Sequence, residues 1–415
     1  MLLHTILNRV YRHPGFVYHS IQFVDDAISV HLRPRKGNRP ICSGCKRHAP
    51  GYDTLSERSF EFVPLWGIPV AFRYAMRRVR CSRCGVVVET VPWATGKRPI
   101  TNAYAYFLAR WATRMSWAEV ARAFRTSWES VFRSVEIAVE WGLARRCLDG
   151  IRSIGVDEVL WQRGYKFLTV VYQIDAGSRR LLWVGRDRTV KTLIRFFRAF
   201  GRARAEALQF VCSDMWKPYL KVIAKKASRA LHVLDRFHIM AKMNKMIDMV
   251  RAKEAREMRS KGRGDVLVGS RWTLLKRPEN RTEKQEIKLA ELVRLNLKAV
   301  RSYLLREEFQ IFWTYLSASS AGRFLDSWCR KVMHSRIEPM KKIARTIRAH
   351  KTLILNWFPA RGLVSTGAVD GMNNKLKVIT RRAYGYRTYR GVEIALYHAL
   401  GKLPDPMDTL THRFC

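Results

Sequence analysis

Two cysteine pairs and three aspartates are the residues of this chain whose types and spacing could do chemistry. Cys42-Ser-Gly-Cys45 and Cys81-Ser-Arg-Cys84 are C-x-x-C pairs. Each such pair folds into a tight knuckle presenting two thiolates, and two knuckles close a tetrahedral shell around Zn²⁺. Four thiolates leave no open position, so the expected zinc is structural. Lys46, Arg47, Arg80 and Arg83 favour the thiolate form. Two unrelated, reduced pairs are the alternative. Asp157 lies in the strand-like "IGVDEV", where an Asp is unfavourable unless something justifies it. Asp214 ends the apolar "LQFVCSD" and a helical pattern follows at once. Asp370 opens a helix in "VDGMNNKLKVITRR", and Asn373, Asn374, Lys377 and Arg381 follow it on one face. Clustered carboxylates suit Mg²⁺ (or Mn²⁺), which prefers hard oxygen ligands. Two such ions can activate an attacking oxygen and stabilise a leaving one in phosphoryl transfer. The plain alternatives are a helix cap for Asp214, an exposed edge residue for Asp157, and a solvated helix face behind Asp370.

The elements around these residues carry the argument further. "SIGVDEV", "YKFLTVVYQIDA" and "RRLLWVGR", with a turn at Gly177-Ser178, predict a three-stranded meander. Thr189 then opens a helix whose Val190, Leu193, Ile194, Phe197 and Phe200 recur at helical spacing. The strand ending in Asp214, a helix, the short strand "ALHVLD" and a long helix from about Phe237 come next. This is the order of a ribonuclease-H-like core, in which strands one and four are neighbours and Asp157 and Asp214 would share metal ions. Residues 250–360 read as helical throughout, and Pro359 to Gly362 breaks that pattern before a last helix near Val369. The expected architecture is α/β and multidomain. It comprises a zinc-binding module (1–100), a helix-turn-helix (101–150), a first core part (151–250), an all-helical insertion (251–360), and a completing segment with the third acid (361–415).

The helix-turn-helix reading rests on "MSWAEVARAFRTSWESVFRSVEIAV". Trp117, Val120 and Ala121 mark a first helix, and Ser127 caps a second, whose exposed Thr126, Trp128, Glu129, Ser130 and Arg133 would enter a major groove. The turn lacks a glycine, and a simple two-helix hairpin is the alternative. Charge favours a polyanionic partner: 77 Lys+Arg against 34 Asp+Glu give a formal net charge of +43. Hydrophobic residues make up 47%, enough to build cores. No apolar run is long enough to span a bilayer and no signal peptide is evident, so a cytoplasmic protein without a membrane partner is expected. Cys147, Cys212, Cys329 and Cys415 read as ordinary thiols. The N-terminal module reads as too polar to fold without its zinc.

Taken in order, the knuckles, helix-turn-helix, Asp157, Asp214, helical insertion and "VDGMNNKLKVITRRAYGYR" resemble the DDE transposases of bacterial insertion sequences, ISL-three class, over nearly the whole chain. The resemblance implies a catalytic triad of Asp157, Asp214 and Asp370. That family's third acid is usually Glu, so Asp370 is one methylene short: either a working variant or an impaired copy. Glu158 and Glu393 are poorer candidates for the role. "LDRFHIMAKMNKMIDMVR" is similar to the family's segment after the second acid, which makes Asp235 and His238 active-site neighbours. On their own residues they are a helix N-cap and a core or surface histidine. The implied activity is recognition of terminal inverted repeats in double-stranded DNA, hydrolysis at the element ends and joining of the 3′-hydroxyls to target DNA. A homodimer or higher oligomer on DNA in the bacterial nucleoid is implied as well. The rivals are a non-catalytic DNA-binding protein (repressor or domesticated remnant) and an RNA-guided or structure-specific nuclease.

Overall fold

The long apolar alternations of the first hundred residues pair into one sheet, and the meander after residue 150 builds a second. The computed structural model describes residues 3–162, 164, 166–361, 363, 367–383 and 385–405. Contacts divide the chain into residues 1–146 with 382–415, and residues 147–381.

In the first unit, β1 (Phe16–Val24) and β2 (Ala27–Pro34) form a hairpin, as do β3 (Gly51–Leu65) and β4 (Ile68–Cys81). Both turns hold two residues at positive φ: Asp25 and Asp26 at 49° and 56°, and Trp66 and Gly67 at 53° and 80°. That backbone matches the right-handed twist of antiparallel strands. β2 runs parallel to β4, β5 (Gly85–Val88) adds to β4, and the main order is β1-β2-β4-β3. Alternate residues of these strands bury an aromatic core. Phe62 stacks on Phe72 at 4.4 Å, and the fully buried Trp93 meets Phe16 and Tyr74 edge-on at 4.9 and 5.2 Å. The module therefore owns a core that does not involve the cysteines, which corrects the expectation that it is too polar to bury much apolar surface of its own.

Helices Asn102–Trp111, Trp117–Ala123 and Trp128–Arg145 follow, each opened by a hydroxyl cap at Thr101, Ser116 or Ser127. Arg125 adopts φ 50° between the second and third, so a non-glycine residue makes the turn. The last helix, Tyr389–Leu400, packs against Trp128–Arg145 in this same unit. Arg390 joins them by pairing with Glu136 at 3.0 Å and Glu140 at 2.5 Å.

In the second unit, β6 (Ser153–Gln162), β7 (Lys166–Asp175) and β8 (Ser178–Arg186) form the antiparallel meander. β9 (Phe210–Ser213) runs parallel to β6, and β10 (Leu231–Leu234) parallel to β9, giving the order β10-β9-β6-β7-β8. The helix Val190–Phe200 buries Leu193, Phe196, Phe197 and Phe200 against residues of this sheet such as Ile154, Val156 and Val211. Between 251 and 360 the described residues contain no strand. Their helices share a core around Phe309, Phe312 and Trp328 that also takes in Ile239, Met243 and Ile247 of the long helix Arg236–Arg259. The helix Gly367–Arg382 lies close against β6 at its start: a Cβ on Gly155 would meet Val369 Cγ2 at 2.3 Å. Only glycine permits that approach.

Candidate functional site

Strand register decides which carboxylates meet. Val156 of β6 lies opposite Ser213 of β9, so Asp157, midway along β6, and Asp214, just past the end of β9, come out at the same level of neighbouring parallel strands. Asp157 is only 5% exposed. Its Oδ1 accepts from the Glu158 amide at 2.7 Å, and its Oδ2 accepts from Asn373 Nδ2 at 2.5 Å. Tyr172 on β7 donates to the other end of that amide, Asn373 Oδ1, at 2.9 Å. Asn373 therefore points inward and is buried, while Asn374, Lys377 and Arg381 on the same helix are exposed. The amide of Asn373 is committed to the carboxylate cluster and does not present itself to solvent.

Asp370 and His238 complete a tight group with Asp157. One ligand atom from each lies within 4.8 Å of the others. His238 Nε2 is 3.8 Å from Asp157 Oδ2, and that carboxylate pushes its pKa up to about 9. Asp370 has its pKa raised by burial, although His238 opposes the shift. Asp235 caps the helix Arg236–Arg259 by accepting from the Phe237 amide at 2.8 Å, as its position suggests. It is also 2% exposed, and burial, with help from Asp370, pushes it up to about 6.

Oδ2 of Asp235 and Oδ2 of Asp370 are both buried with no hydrogen-bond donor. Buried carboxylate oxygens without partners are costly, and a cation is one of the few things that accounts for them. The oxygen-rich donor set of Asp157 and Asp370, with one imidazole, fits a Mg²⁺- or Mn²⁺-class ion.

Asp214 is not in that tight group. Its Oδ1 accepts from the Trp216 amide at 2.9 Å, and its Oδ2 is 3.6 Å from Arg188 Nη2. Arg188 also pairs with Glu158 at 2.6 Å and lies over the Trp216 ring at 4.3 Å. Burial and the charge of Asp214 push Glu158 up to about 7, against the pull of Arg188. Sequence reasoning missed Arg188 and Tyr172. Arg188 falls in "GRDRT", among many other arginines, so composition gave no signal, and Tyr172 looked like an ordinary strand residue.

The four knuckle cysteines come together in the first unit, again with ligand atoms within 4.8 Å of one another. Cys45 Sγ and Cys81 Sγ are 3.6 Å apart. Backbone amides of Arg83 and Cys84 pull the Cys81 thiol down to about 6. A Cβ on Gly44 would lie 2.8 Å from Cys84 Sγ, so the small residue lets one knuckle close on the other. An all-thiolate, tetrahedral-sized donor set of this kind fits Zn²⁺. Cys147, Cys212 and Cys329 are free thiols, and Cys415 lies outside the described residues.

On the helix Trp128–Arg145, Trp128 is 51% exposed and stacks on Phe132 at 5.7 Å. Arg133 is exposed but held by Glu136 at 3.0 Å and Glu129 at 3.7 Å. Ser130 donates its amide to the Ser127 cap, and Thr126 is half-buried with its amide bonded to Ala121. Glu393, in the first unit, pairs with Arg390 at 3.1 Å. Among the described residues no helix is long and apolar enough to cross a membrane.

A mixed α/β chain with a buried carboxylate cluster and a four-cysteine cluster has two groups of side chains that could each hold a metal ion. The comparison with known families specifies the class of protein: residues 154–395 match the ISL3 model of DDE transposases, described as "Transposase". The chain belongs to the ISL3 family of DDE transposases. It is 26% identical to the transposase for insertion sequence element IS1001 of Bordetella parapertussis, over 90% of this chain and 92% of that one. It is 27% identical to the transposase for insertion sequence element IS1557 of Mycobacterium tuberculosis, over 94% and 93%.

Proposed function

We propose that this transposase binds the terminal inverted repeats of its own insertion sequence and catalyses metal-dependent cleavage and strand transfer, with Asp157, Asp214 and Asp370 as the catalytic acids. The observation that carries the reading is the buried pair of donor-less carboxylate oxygens, on Asp370 and Asp235, beside Asp157. The strand order β10-β9-β6-β7-β8, with β6 antiparallel to β7 and parallel to β9, supports a ribonuclease-H-like core. When bound, divalent ions would polarise the scissile phosphate and lower the pKa of the attacking water or hydroxyl.

The protein's own part is positioning. Asn373 and the Glu158 amide fix the rotamer of Asp157, so its oxygens need no rearrangement when a cation arrives. Asp370 brings the third carboxylate on the rigid helix Gly367–Arg382. His238 supplies a positive charge that keeps the acids close in the absence of a cation, and an imidazole nitrogen in its presence. Asp214 joins once its side chain leaves Arg188. Lys377 and Arg381, exposed on the helix that carries Asp370, would receive DNA phosphates. Specific end recognition falls to the zinc module and to the helix Trp128–Arg145, through Trp128, Thr126, Ser130 and Arg133. Two ends must be handled together, so the active species is a dimer or higher oligomer on DNA.

The test uses a DNA fragment carrying this reading frame's own flanks, incubated with full-length protein and Mg²⁺ or Mn²⁺. Cleavage at inverted repeats and 3′-end joining are expected, and both should stop in EDTA. Tight, sequence-specific binding with no cleavage under either ion would favour the non-catalytic DNA-binding alternative.

A further inference from the structure

The first turn of the helix Arg236–Arg259 has two functional sides. Asp235 and His238 face the carboxylate cluster. The neighbouring residues Arg236, Phe237 and Met240 instead line a separate cavity of about 260 Å³, closed on the far side by Leu275, Arg277 and Arg306 from the helical segment. All of these residues belong to the second unit.

The chemistry of this cavity is unusual for a structural gap. Arg306 is 2% exposed, and its guanidinium is used internally, by Asn244 and the Leu275 carbonyl at 3.0 Å each and by Glu307 at 2.5 Å. Arg236 and Arg277 are different. Arg236 is half-buried and rests over the Trp313 ring at 5.7 Å, with no ion pair among the described residues. Among the described residues Arg277 has only Glu279 as an ion-pair partner, at 3.7 Å, and its side chain is 56% exposed. Arg277 lies close enough to repel Arg236, with Asp235 and the long Glu279 pair as partial offsets, and an anion between the two guanidiniums would relieve that repulsion. Beside them, Phe237 exposes 48% of its surface, and Met240 and Leu275 add apolar wall. An exposed aromatic next to arginines with spare donors is the pattern that receives a base on its face and a phosphate at its edge. The volume lies just under the roughly 300 Å³ at which pockets begin to take drug-sized ligands, which suits a single nucleotide.

We infer that this cavity holds one unpaired nucleotide of the DNA strand that passes the carboxylate cluster, with its phosphate between Arg236 and Arg277 and its base against Phe237. The inference rests on the proposed DNA-cleaving role of the neighbouring cluster, and it adds a site that would hold an unstacked nucleotide in place beside the reacting phosphate. Unstacking a base is repaid by such a pocket only when stacking and charge pairing are both available.

The experiment uses full-length protein in EDTA, a thymidine pentamer carrying one central 5-iodouracil, and an excess of unlabelled duplex DNA to occupy the general basic surface. Irradiation should crosslink the pentamer to the peptide that contains Phe237. Arg236→Gln with Arg277→Gln should lower the yield by about tenfold or more, the size of one lost stacking or charge contact. Phe237→Leu, which keeps an apolar side chain, should abolish the crosslink at that peptide. Unchanged circular dichroism and melting temperature would show that the variants are folded. Crosslinks found only elsewhere, or an undiminished yield in the double Gln variant, would overturn the assignment. The pentamer carries no element end and the buffer no metal, so failure of end cleavage leaves this result interpretable, and failure here leaves end cleavage untouched.

Discussion

Asn373 and Asp157 are 216 positions apart in the chain, and the amide of one donates directly to the carboxylate of the other. The same amide accepts from Tyr172, so a single side chain ties the helix Gly367–Arg382 to β6 and β7 at the point where the acids converge. Asn373→Leu should leave the Tyr172 hydroxyl and one Asp157 oxygen without partners, at a cost of about 1–3 kcal/mol for a buried group. Asn373→Asp should be worse, because it sets a second carboxylate against Asp157. Urea unfolding of metal-free protein measures both, and wild-type stability in the two variants would refute the tie.

Asp370 already reaches the cluster with its short side chain, within 4.8 Å of the Asp157 and His238 ligand atoms. Retreat of its helix to accommodate a longer acid would pull Val369 off Gly155 and open a gap in that packing. Asp370→Asn should abolish Mg²⁺-dependent cleavage with end binding nearly intact. Asp370→Glu should reduce cleavage by roughly 10²-fold, the effect of a misplacement of about 1 Å. A rise in activity with Glu would mean instead that the short acid is a degenerate copy of the family's usual residue.

Metal-free protein should lose stability as pH rises. His238 titrates at about 9 in the folded state, against an ordinary value of about 6.5. The folded state therefore holds more protons between those values, and stability falls with rising pH across that window. Below about 6.5 the contribution is complete, and above about 9 it is gone. Thermal melts from pH 6 to 10 in EDTA should show the decline, and His238→Gln should flatten it. An identical slope in that variant would assign the effect to other groups. Mg²⁺ should weaken the dependence in wild type by supplying the positive charge itself.

Cys42→Ser should remove zinc but leave most of the N-terminal sheet folded. Phe16, Phe60, Phe72 and Trp93 form a core separate from Cys42, Val79 and Cys81. Metal analysis and hydrogen exchange of the peptide that holds Trp93 distinguish the outcomes: zinc lost with that peptide still protected is expected. Full loss of that protection would show that the ion does hold the whole module together, and absence of zinc from the wild-type protein would remove the metal altogether.

Local pattern and spacing determined a good deal of this molecule. The apolar runs "YKFLTVVYQIDA" and "RRLLWVGR" with a turn between them specified β7 and β8, helical spacing after Thr189 specified the helix that covers their sheet, and two C-x-x-C pairs named the four cysteines that meet. These are signals carried within a dozen residues. What the chain by itself left open were relations across long separations. The hairpin turn inside "SIQFVDDAISVHL" needed two aspartates at positive φ, and the turn without glycine needed Arg125 in the same region. Whether Asn373 faced solvent or the acids depended on how closely one helix could approach Gly155. Whether Asp214 stood with Asp157 or with Arg188 depended on side-chain charge balance at a strand end. The return of the helix Tyr389–Leu400 to pack on Trp128–Arg145 depended on Arg390 finding Glu136 and Glu140, some 250 residues earlier. Such choices are made by packing clearance and by competition among charges, and neither is written in the periodicity of any one segment.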